Sequence, residues 1–450
     1  MPRLVVIGGN AAGMSAASAV ARASCGWDVC VFDAGGDLSW GACGLPYVFS
    51  READGFDGLF ALSPDEIARR GIEARTFMRA VELVEGRKRV VFSNEKNGSL
   101  SEESYDALLI ATGAVPVIPE IRGFFGNNLF VLHTLADGRR LSSFIESERP
   151  RSACIVGGGY IGVEMAETLT MSGIQTTMVV RSDRLLGKLN PDFREKLAAV
   201  LEDNGVRLLR GAGITNVRKK GGKVESLETS RGTVSADMFI CAAGVRAATS
   251  FLDDSPISLG ERGGIEVDGM CGTGIPSVWA AGDCCCVRNF ITGRSCYVPL
   301  GTTANRMGRI AGANVTGGRE EFPGVLGTAI TRAFGLEIAV TGLNLAEALR
   351  EGFDAEGASI GGSTRPRYFR GGKEIFVSVV GDRGGRVIGG QVAGGEGVKG
   401  RIDTLAALIQ GGVRIRDAEN LDLAYAPPFS TVKDPLLTCF SLLKKKLRDN

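Results

Sequence analysis

Leu4-Val5-Val6-Ile7-Gly8-Gly9-Asn10-Ala11-Ala12-Gly13 opens the chain, and Cys154-Ile155-Val156-Gly157-Gly158-Gly159-Tyr160-Ile161-Gly162 repeats it in the middle. Gly8 matches Gly157 and Gly13 matches Gly162 at the same offset, so each copy reads as a buried apolar strand, a glycine turn and a helix rich in small residues. A second pair is nested in the first. Asp106 precedes the apolar run Ala107-Leu108-Leu109-Ile110, which ends in Ala111-Thr112-Gly113, and Asp237 precedes Met238-Phe239-Ile240-Cys241, which ends in Ala242-Ala243-Gly244. Glycine in such a turn lets the backbone approach a pyrophosphate, while the free N–H groups and positive end of the following helix bind its oxygens. One copy would be a weak signal; two copies with matched downstream strands predict two nucleotide-binding units.

Around that repeat, 450 residues at about 150 per domain give roughly three domains. Lys+Arg 52 against Asp+Glu 51 leaves a net charge of +1, so no global field draws the chain to nucleic acid or to an anionic membrane. Glycine supplies 64 of the 450 residues, about twice the usual ~7%, with no collagen-like period, which assigns the excess to turns and close backbone approaches. Leu4 to Ala21 is uncharged and long enough to raise the question of a membrane span, but Gly8, Gly9, Asn10, Gly13, Ser15 and Ser18 favour a strand, a turn and a helix. No export signal precedes the first strand, so the eleven cysteines are expected as mostly free thiols in a reducing, cytoplasmic compartment. There is no CxxC pair, and Cys284-Cys285-Cys286 has the wrong spacing for one tetrahedral ion, so no metal site is expected.

The two copies differ where their chemistry would differ. In the first, Asn10 replaces the middle glycine, and Asp33 ends the second strand (Val29 to Asp33), where a carboxylate can accept from a ribose 2′-hydroxyl. In the second, Gly157, Gly159 and Gly162 are intact, but the acidic slot holds Arg181, followed closely by Arg184. An arginine there would pair with a 2′-phosphate through charge-assisted bonds of about 1.5–3 kcal/mol each, which predicts NADPH over NADH with NADH still open as a substrate. The alternative is a solvated arginine beside a loop. A third element assigns FAD to the first unit: the strand Thr273 to Ala281 ends in Gly282-Asp283, placing Asp283 to accept ribityl hydroxyls, and Gly301-Thr302 begins a helix that would face the flavin ring.

Cys43 alone has a setting that implies reactivity. Ser39-Trp40-Gly41-Ala42-Cys43-Gly44-Leu45-Pro46-Tyr47 places it at the first turn of a helix, where the dipole is expected to favour the thiolate. Five residues on stands Val48, not a second cysteine, so catalysis through one thiol is implied. Cys25 and Cys30 read as the end of a helix and the inside of a strand, and therefore as structural. His133, the lone histidine, follows an apolar stretch and reads as a packing residue, so proton delivery is expected from a tyrosine.

These motifs resemble the single-cysteine branch of the pyridine nucleotide–disulfide oxidoreductases, within it the coenzyme A-disulfide reductases. The resemblance runs through GGNAAG at 8–13, SWGACGLPY at 39–47, GGGYIGVEMAE at 157–167, AAGD at 280–283, VPLGTTANRMGR at 298–309 and AYAPPFSTVKDP at 424–435. It implies that FAD contacts fall on Gly8, Asn10, Ala11, Gly13, Asp33, Val81, Thr112, Gly113, Asp283, Gly301 and Thr302. Nucleotide contacts fall on Gly157, Gly159, Tyr160, Ile161, Gly162, Arg181, Arg184 and Gly244. It also implies a homodimer in which Tyr425, with Tyr368 as a second candidate, is lent to the other subunit's active site, and coenzyme A contacts at Arg22, Ser39, Asn305 and Lys433. Two departures stand out: peroxidase relatives place a His where this chain has Asn10-Ala11, and Phe369 is not a second aromatic hydroxyl beside Tyr368. Persulfide-reducing relatives often carry an appended rhodanese domain, and this chain stops at Asn450 without one.

The expected architecture is α/β. An FAD-binding domain (1–114 and 246–322) receives an inserted NAD(P)H-binding domain (115–245), and an α/β dimerisation domain (323–450) follows, with a helix ending at Gly411-Gly412. Lys444-Lys445-Lys446 reads as a solvated tail, or as a contact for an adenosine phosphate. The expected activity is NADPH-driven reduction of coenzyme A disulfide, or a related small disulfide, through Cys43. An NAD(P)H oxidase or peroxidase, or a coenzyme A persulfide or polysulfide reductase, would share the same cysteine; a non-catalytic flavin redox sensor is the remote alternative.

Overall fold

The computed structural model describes residues 1–23 and 26–449; Cys25 lies outside them. The first unit is a five-stranded parallel sheet in the order Val278–Ala280, Ala107–Ile110, Arg3–Ile7, Asp28–Asp33, Ile72–Thr76. The second repeats it with Arg207–Arg210, Gln175–Val180, Ser152–Val156, Met238–Cys241 and Leu129–Phe130. Both central strands are apolar and almost wholly buried, as a parallel sheet covered on two faces demands. The uncharged stretch from Leu4 is the strand Arg3–Ile7 and the twelve-residue helix Ala11–Arg22. Among the described residues no helix is long and apolar enough to cross a membrane.

The nested aspartates have a local reason. Asp106 Oδ2 accepts from the Arg3 N–H at 2.7 Å, and Asp237 Oδ2 accepts from the N–H groups of Arg151 and Ser152 at 2.8 and 2.9 Å. Each carboxylate thus holds the start of the neighbouring glycine-loop strand in register. The second unit is inserted in the first, and the chain crosses between them on an antiparallel ribbon of Ala114–Pro116 and Val245–Ala247.

The third region is an antiparallel sheet in the order Ala329–Ala333, Leu336–Gly342, Val387–Gly394, Glu374–Asp382, Ala355–Ser363. Helices Val398–Gln410 and Pro435–Asp449 pack on it through Ile402, Leu405, Leu436, Phe440 and Leu443. The first of these helices stops at Gly411, with Gly412 at φ +63°, where the sequence places its end. The lysine run is helical and not a free tail, although Lys445 and Lys446 are exposed. It lies inside the last helix, with Lys444 paired to Glu419 and Lys446 Nζ donating to the Gly357 carbonyl at 2.9 Å, because the apolar face of that helix docks and carries its basic face onto the sheet edge.

The first unit is closed by contact between two helices. A Cβ at Gly308, on helix Gly301–Val315, would lie 2.1 Å from the Ala12 carbonyl oxygen of helix Ala11–Arg22. Gly308→Val is expected to force these backbones apart, lower the melting temperature by an overpacking cost of about 1–3 kcal/mol, and release flavin; calorimetry and absorbance at 450 nm would check it. Unchanged melting would show that the contact can relax.

Candidate functional site

Each glycine turn is shaped by backbone oxygens that occupy the place of a side chain. Gly8 (φ +107°) and Gly157 (φ +123°) would each set a Cβ 2.1 Å from a carbonyl oxygen, Ala111 in one case and Ala242 in the other. Gly13 and Gly162 press their helices onto the turn, a Cβ there falling 1.8 and 2.3 Å from the oxygens of Gly8 and Gly157. At Gly159, in contrast, a Cβ would meet nothing within 4 Å, so the turn is open toward the place where a pyrophosphate would lie.

In the first unit the position of the missing glycine has a different use. Asn10 Oδ1 accepts from the Trp40 N–H at 3.2 Å, and the Ser39 N–H donates to the Gly9 carbonyl at 2.8 Å. Both bonds tie the loop that carries Cys43 to the turn. Ser39 is buried at φ +53°, a left-handed conformation held by that bond and by the Ala61 N–H, which donates to the Ser39 carbonyl at 2.7 Å. Trp40 and Leu45, flanking Cys43, are buried against the core of the second unit. The thiol is therefore fixed at the junction of the two units.

Asp33 accepts from the N–H groups of Gly9 and Gly35, both at 2.7 Å, which orients its carboxylate at the strand end and leaves lone pairs for a ribose. Of the five buried side-chain oxygens without a hydrogen-bond partner among the described residues, two belong to this unit's nucleotide motifs, Asp283 Oδ1 and Thr112 Oγ1. Burial pushes the Asp283 carboxyl up to about 6. Unpaired buried oxygens cost free energy unless a ligand completes them. A polyol that donates to Asp283, beside the open helix start at Gly301 and Thr302 and the open turn at Gly113, fits FAD. Ala11 is the first residue of the glycine-loop helix, and Val81 stands out of its ladder at a β-bulge, exposed.

Cys43 is the one exposed cysteine among the described residues, in a single 3₁₀ turn, Ala42–Gly44, ahead of the short helix Leu45–Phe49. The expected lowering of its pKa is overturned. Surrounding protein and the charges of Glu164 and Asp283 raise it above the ordinary thiol value, and so short a helix supplies little opposing dipole. Cys30, inside its strand, is pushed up to about 12 by burial and is inert; Cys284, Cys285 and Cys286 are likewise buried. Burial also lowers the pKa of His133, which keeps the imidazole neutral.

Glu164 escaped the sequence reading. It sits on helix Tyr160–Met171, one turn from Tyr160, and accepts from Thr331 Oγ1 at 2.9 Å and Tyr47 OH at 3.5 Å. Its carboxyl pKa is raised by burial, and its charge contributes to raising both Cys43 and Tyr160, the latter, mainly through burial, to about 12. The signal was present as a carboxylate four residues after Tyr160, but Glu167 follows on the same helix, and the partners that single out Glu164, Tyr47 and Thr331, lie far away in the chain. Ile161 follows Tyr160 in the same first turn, and Gly244 (φ +109°) closes the matching downstream strand.

Arg181 and Arg184 follow the second strand of the inserted unit, exposed, and neither side chain makes an ion pair among the described residues. Their neighbour Asp183 instead faces Arg210 at 3.4 Å. Tyr425 and Tyr368 join by hydroxyl groups 3.0 Å apart, a bond that raises the Tyr425 pKa and keeps it a proton donor. Asn305 Nδ2 donates to Ser15 Oγ at 2.8 Å on the first unit, and Arg22 ends the same helix as Ser15, exposed. Lys433 Nζ instead donates to Ser441 Oγ at 3.2 Å in the third region. Within one chain no hydrogen bond among the described residues joins Tyr425, Tyr368 or Lys433 to Cys43 or to a glycine turn.

Comparison with known proteins now decides the family. Residues 2–311 match the pyridine nucleotide-disulphide oxidoreductase model, and residues 328–435 match its dimerisation domain. The chain belongs to the pyridine nucleotide-disulphide oxidoreductase family. Membership makes it an FAD- and NAD(P)H-type oxidoreductase with a dimerisation domain. It is 38% identical over 446 residues (98% of each chain) to the NAD(P)H coenzyme A polysulfide/persulfide reductase of Pyrococcus horikoshii. It is 28% identical to the coenzyme A disulfide reductase of Staphylococcus aureus, covering 96% of this chain and 98% of that one. The NAD-dependent persulfide reductase of A. fulgidus superimposes with a TM-score of 0.95 at 33% identity, over 99% of this chain and 84% of the other.

Removing the Glu164 charge should make Cys43 more acidic. Glu164→Gln is expected to move the pH profile of Cys43 alkylation by iodoacetamide to lower pH, since a negative neighbour that disfavours the thiolate is lost. A profile that stays in place or moves upward would contradict this electrostatic assignment.

Proposed function

We propose that this enzyme uses NADPH to cleave a sulfur–sulfur bond attached to coenzyme A, with coenzyme A disulfide as the first substrate and Cys43 as the sole attacking thiol. One observation carries the reading: the one cysteine exposed among the described residues sits on a loop hydrogen-bonded to the first glycine turn, with Val48 where a resolving partner would be needed. FAD, when bound, supplies the relay of an electron pair between the nicotinamide and sulfur.

This chain's residues account for the rest. Once ionised, Cys43 attacks one sulfur of the disulfide, the S–S bond breaks, and one coenzyme A thiolate leaves while the other half stays as Cys43–S–S–CoA. Tyr425, its proton held by the bond to Tyr368, protonates the departing thiolate from the other subunit of a homodimer. Two electrons and one proton, the hydride equivalent of NADPH, then cleave the mixed disulfide to the second coenzyme A thiol and the Cys43 thiolate, and Tyr425 regains its proton from solvent. Asp33, Asp283 and Thr112 hold the flavin nucleotide, the turn at Gly157 to Gly162 takes the pyrophosphate of NADPH, and Arg181 with Arg184 takes its 2′-phosphate. Ser39, Asn305, Arg22 and Lys433 supply the polar contacts to coenzyme A.

A second reading is favoured by the relatives: the 38% identical Pyrococcus horikoshii protein bears the name of a polysulfide/persulfide reductase. A coenzyme A persulfide would meet the same thiol: attack on its inner sulfur forms the same Cys43–S–S–CoA and releases hydrosulfide in place of the first coenzyme A thiolate.

Cys43→Ser is expected to keep its yellow colour and lose thiol-producing turnover, read with NADPH and separate additions of coenzyme A disulfide, polysulfide, peroxide and O2. Rapid oxidation of NADPH by O2 or peroxide with negligible reduction of either sulfur substrate would reject the proposal. Arg181→Glu should shift the NADPH-to-NADH ratio of kcat/KM toward NADH by about 10- to 100-fold, and unchanged selectivity would remove Arg181 from the nucleotide site.

A further inference from the structure

The segment 181–190 that carries both arginines is fastened at its two ends to different parts of the molecule. At the near end the Leu186 N–H donates to the carbonyl of Gly158, in the glycine turn itself, at 2.8 Å. Leu185, Leu186 and Leu189 are buried, and Leu186 and Gly187 take left-handed conformations at φ +48° and +47°. At the far end the segment is held by the dimerisation domain. Gln391 Oε1 accepts from the Asn190 N–H and Gln391 Nε2 donates to the Lys188 carbonyl, both at 2.8 Å. Ser378 Oγ accepts from Asn190 Nδ2 at 3.1 Å, and Asn344 Nδ2 donates to the same Lys188 carbonyl at 3.0 Å.

This is more than packing. Gln391 is 3% exposed in the middle of the strand Val387–Gly394, among Val392, Ala393 and glycines, a place where an unneeded amide would be costly. Both ends of its amide are spent on the backbone of 188–190, and its cross-strand neighbour Ser378 is spent on the Asn190 side chain. A left-handed Leu186 is strained for a non-glycine residue and persists only where its surroundings determine it. The segment is thus pinned at Leu186 by the glycine turn and at Lys188 and Asn190 by Gln391, a few residues after Arg181 and Arg184. Gln391, 203 positions away in sequence, bonds the backbone four residues after Arg184.

We infer that Gln391 is a positioning residue for the adenosine end of the nicotinamide nucleotide: the dimerisation domain, through its bonds to Lys188 and Asn190, sets how well Arg181 and Arg184 meet a 2′-phosphate. The inference rests on the NADPH reading above. It makes nucleotide preference a joint property of two domains instead of the loop alone.

The test is a double-mutant cycle on the flavin-loaded enzyme. Gln391→Leu keeps the size of the side chain and loses both bonds; it is expected to raise KM for NADPH by about tenfold while changing kcat and KM for NADH by less than about twofold. Combined with Arg181→Ala it should add nothing to the loss of selectivity from Arg181→Ala alone, because both act through the same contact. Gln391→Glu, which still accepts from the Asn190 N–H, should recover part of the NADPH affinity. Equal losses for both nucleotides, additive effects in the double variant, or unchanged NADPH affinity would each overturn the inference. If Gln391→Leu fails to fold, Asn344→Asp keeps the N-cap bond from the Glu347 N–H and removes the one donated to the Lys188 carbonyl, and the same ratio is read. Amide exchange of 182–190 separates the two claims. Faster exchange in Gln391→Leu, with selectivity unmoved by Arg181→Ala, would leave the clamp standing and sink the NADPH reading; unchanged exchange would sink the clamp.

Discussion

Carbonyl oxygens stand where side chains would be at Gly8 and Gly157, and the rest of the molecule is arranged around those contacts. Each brings the end of a first strand against the end of the strand downstream of it, so that the chain turns sharply and the following helix points its free N–H groups outward. No residue with a Cβ can occupy either position. The repetition of one strained contact at the same place in two sheets explains why the sequence shows its repeat so clearly.

From that constraint the first unit acquires its chemistry by addition. The turn is tied through Asn10 and Gly9 to the loop of Ser39 and Trp40, which delivers Cys43 to the seam between the two units. Asp283 and Thr112 leave buried oxygens that call for donors and acceptors from a ligand. The surroundings of Cys43 work against ionisation, through the protein packed around an otherwise exposed residue and through the charges of Glu164 and Asp283. A thiol kept protonated at rest resists adventitious oxidation, since oxidation follows thiolate character.

The second unit and the third region share one buried apolar core, in which Ala333, Ile338, Val340 and Ala393 join Ile155, Val163 and Met165, and specific polar contacts are added to it. Gln391, Ser378 and Asn344 reach the segment behind the two arginines, and Phe334 donates its N–H to Glu167 of the Tyr160 helix at 2.9 Å, beside the Arg332–Glu52 pair. Exposed ion pairs of this kind are worth little in stability, so their value lies in fixing orientation. The dimerisation domain thus hydrogen-bonds the segment that follows the two arginines.

The amino-acid sequence by itself determined the two sheets, the insertion of one unit in the other, and Asp33, Asp283, Arg181 and Cys43 as the residues of interest. Each of these depends on contacts within a strand–turn–helix, and local contacts leave a spacing that can be read. It also marked Asn10 as a departure without saying what the departure is for. Tertiary structure decided that Asn10 holds the Cys43 loop, that Cys43 is made less acidic rather than more, that Glu164 faces it, and that the Lys444 run is docked in a helix. These outcomes depend on charges and surfaces that meet across regions far apart in the chain, and a Coulomb interaction or a buried face follows distance in space, of which spacing along the sequence keeps no record.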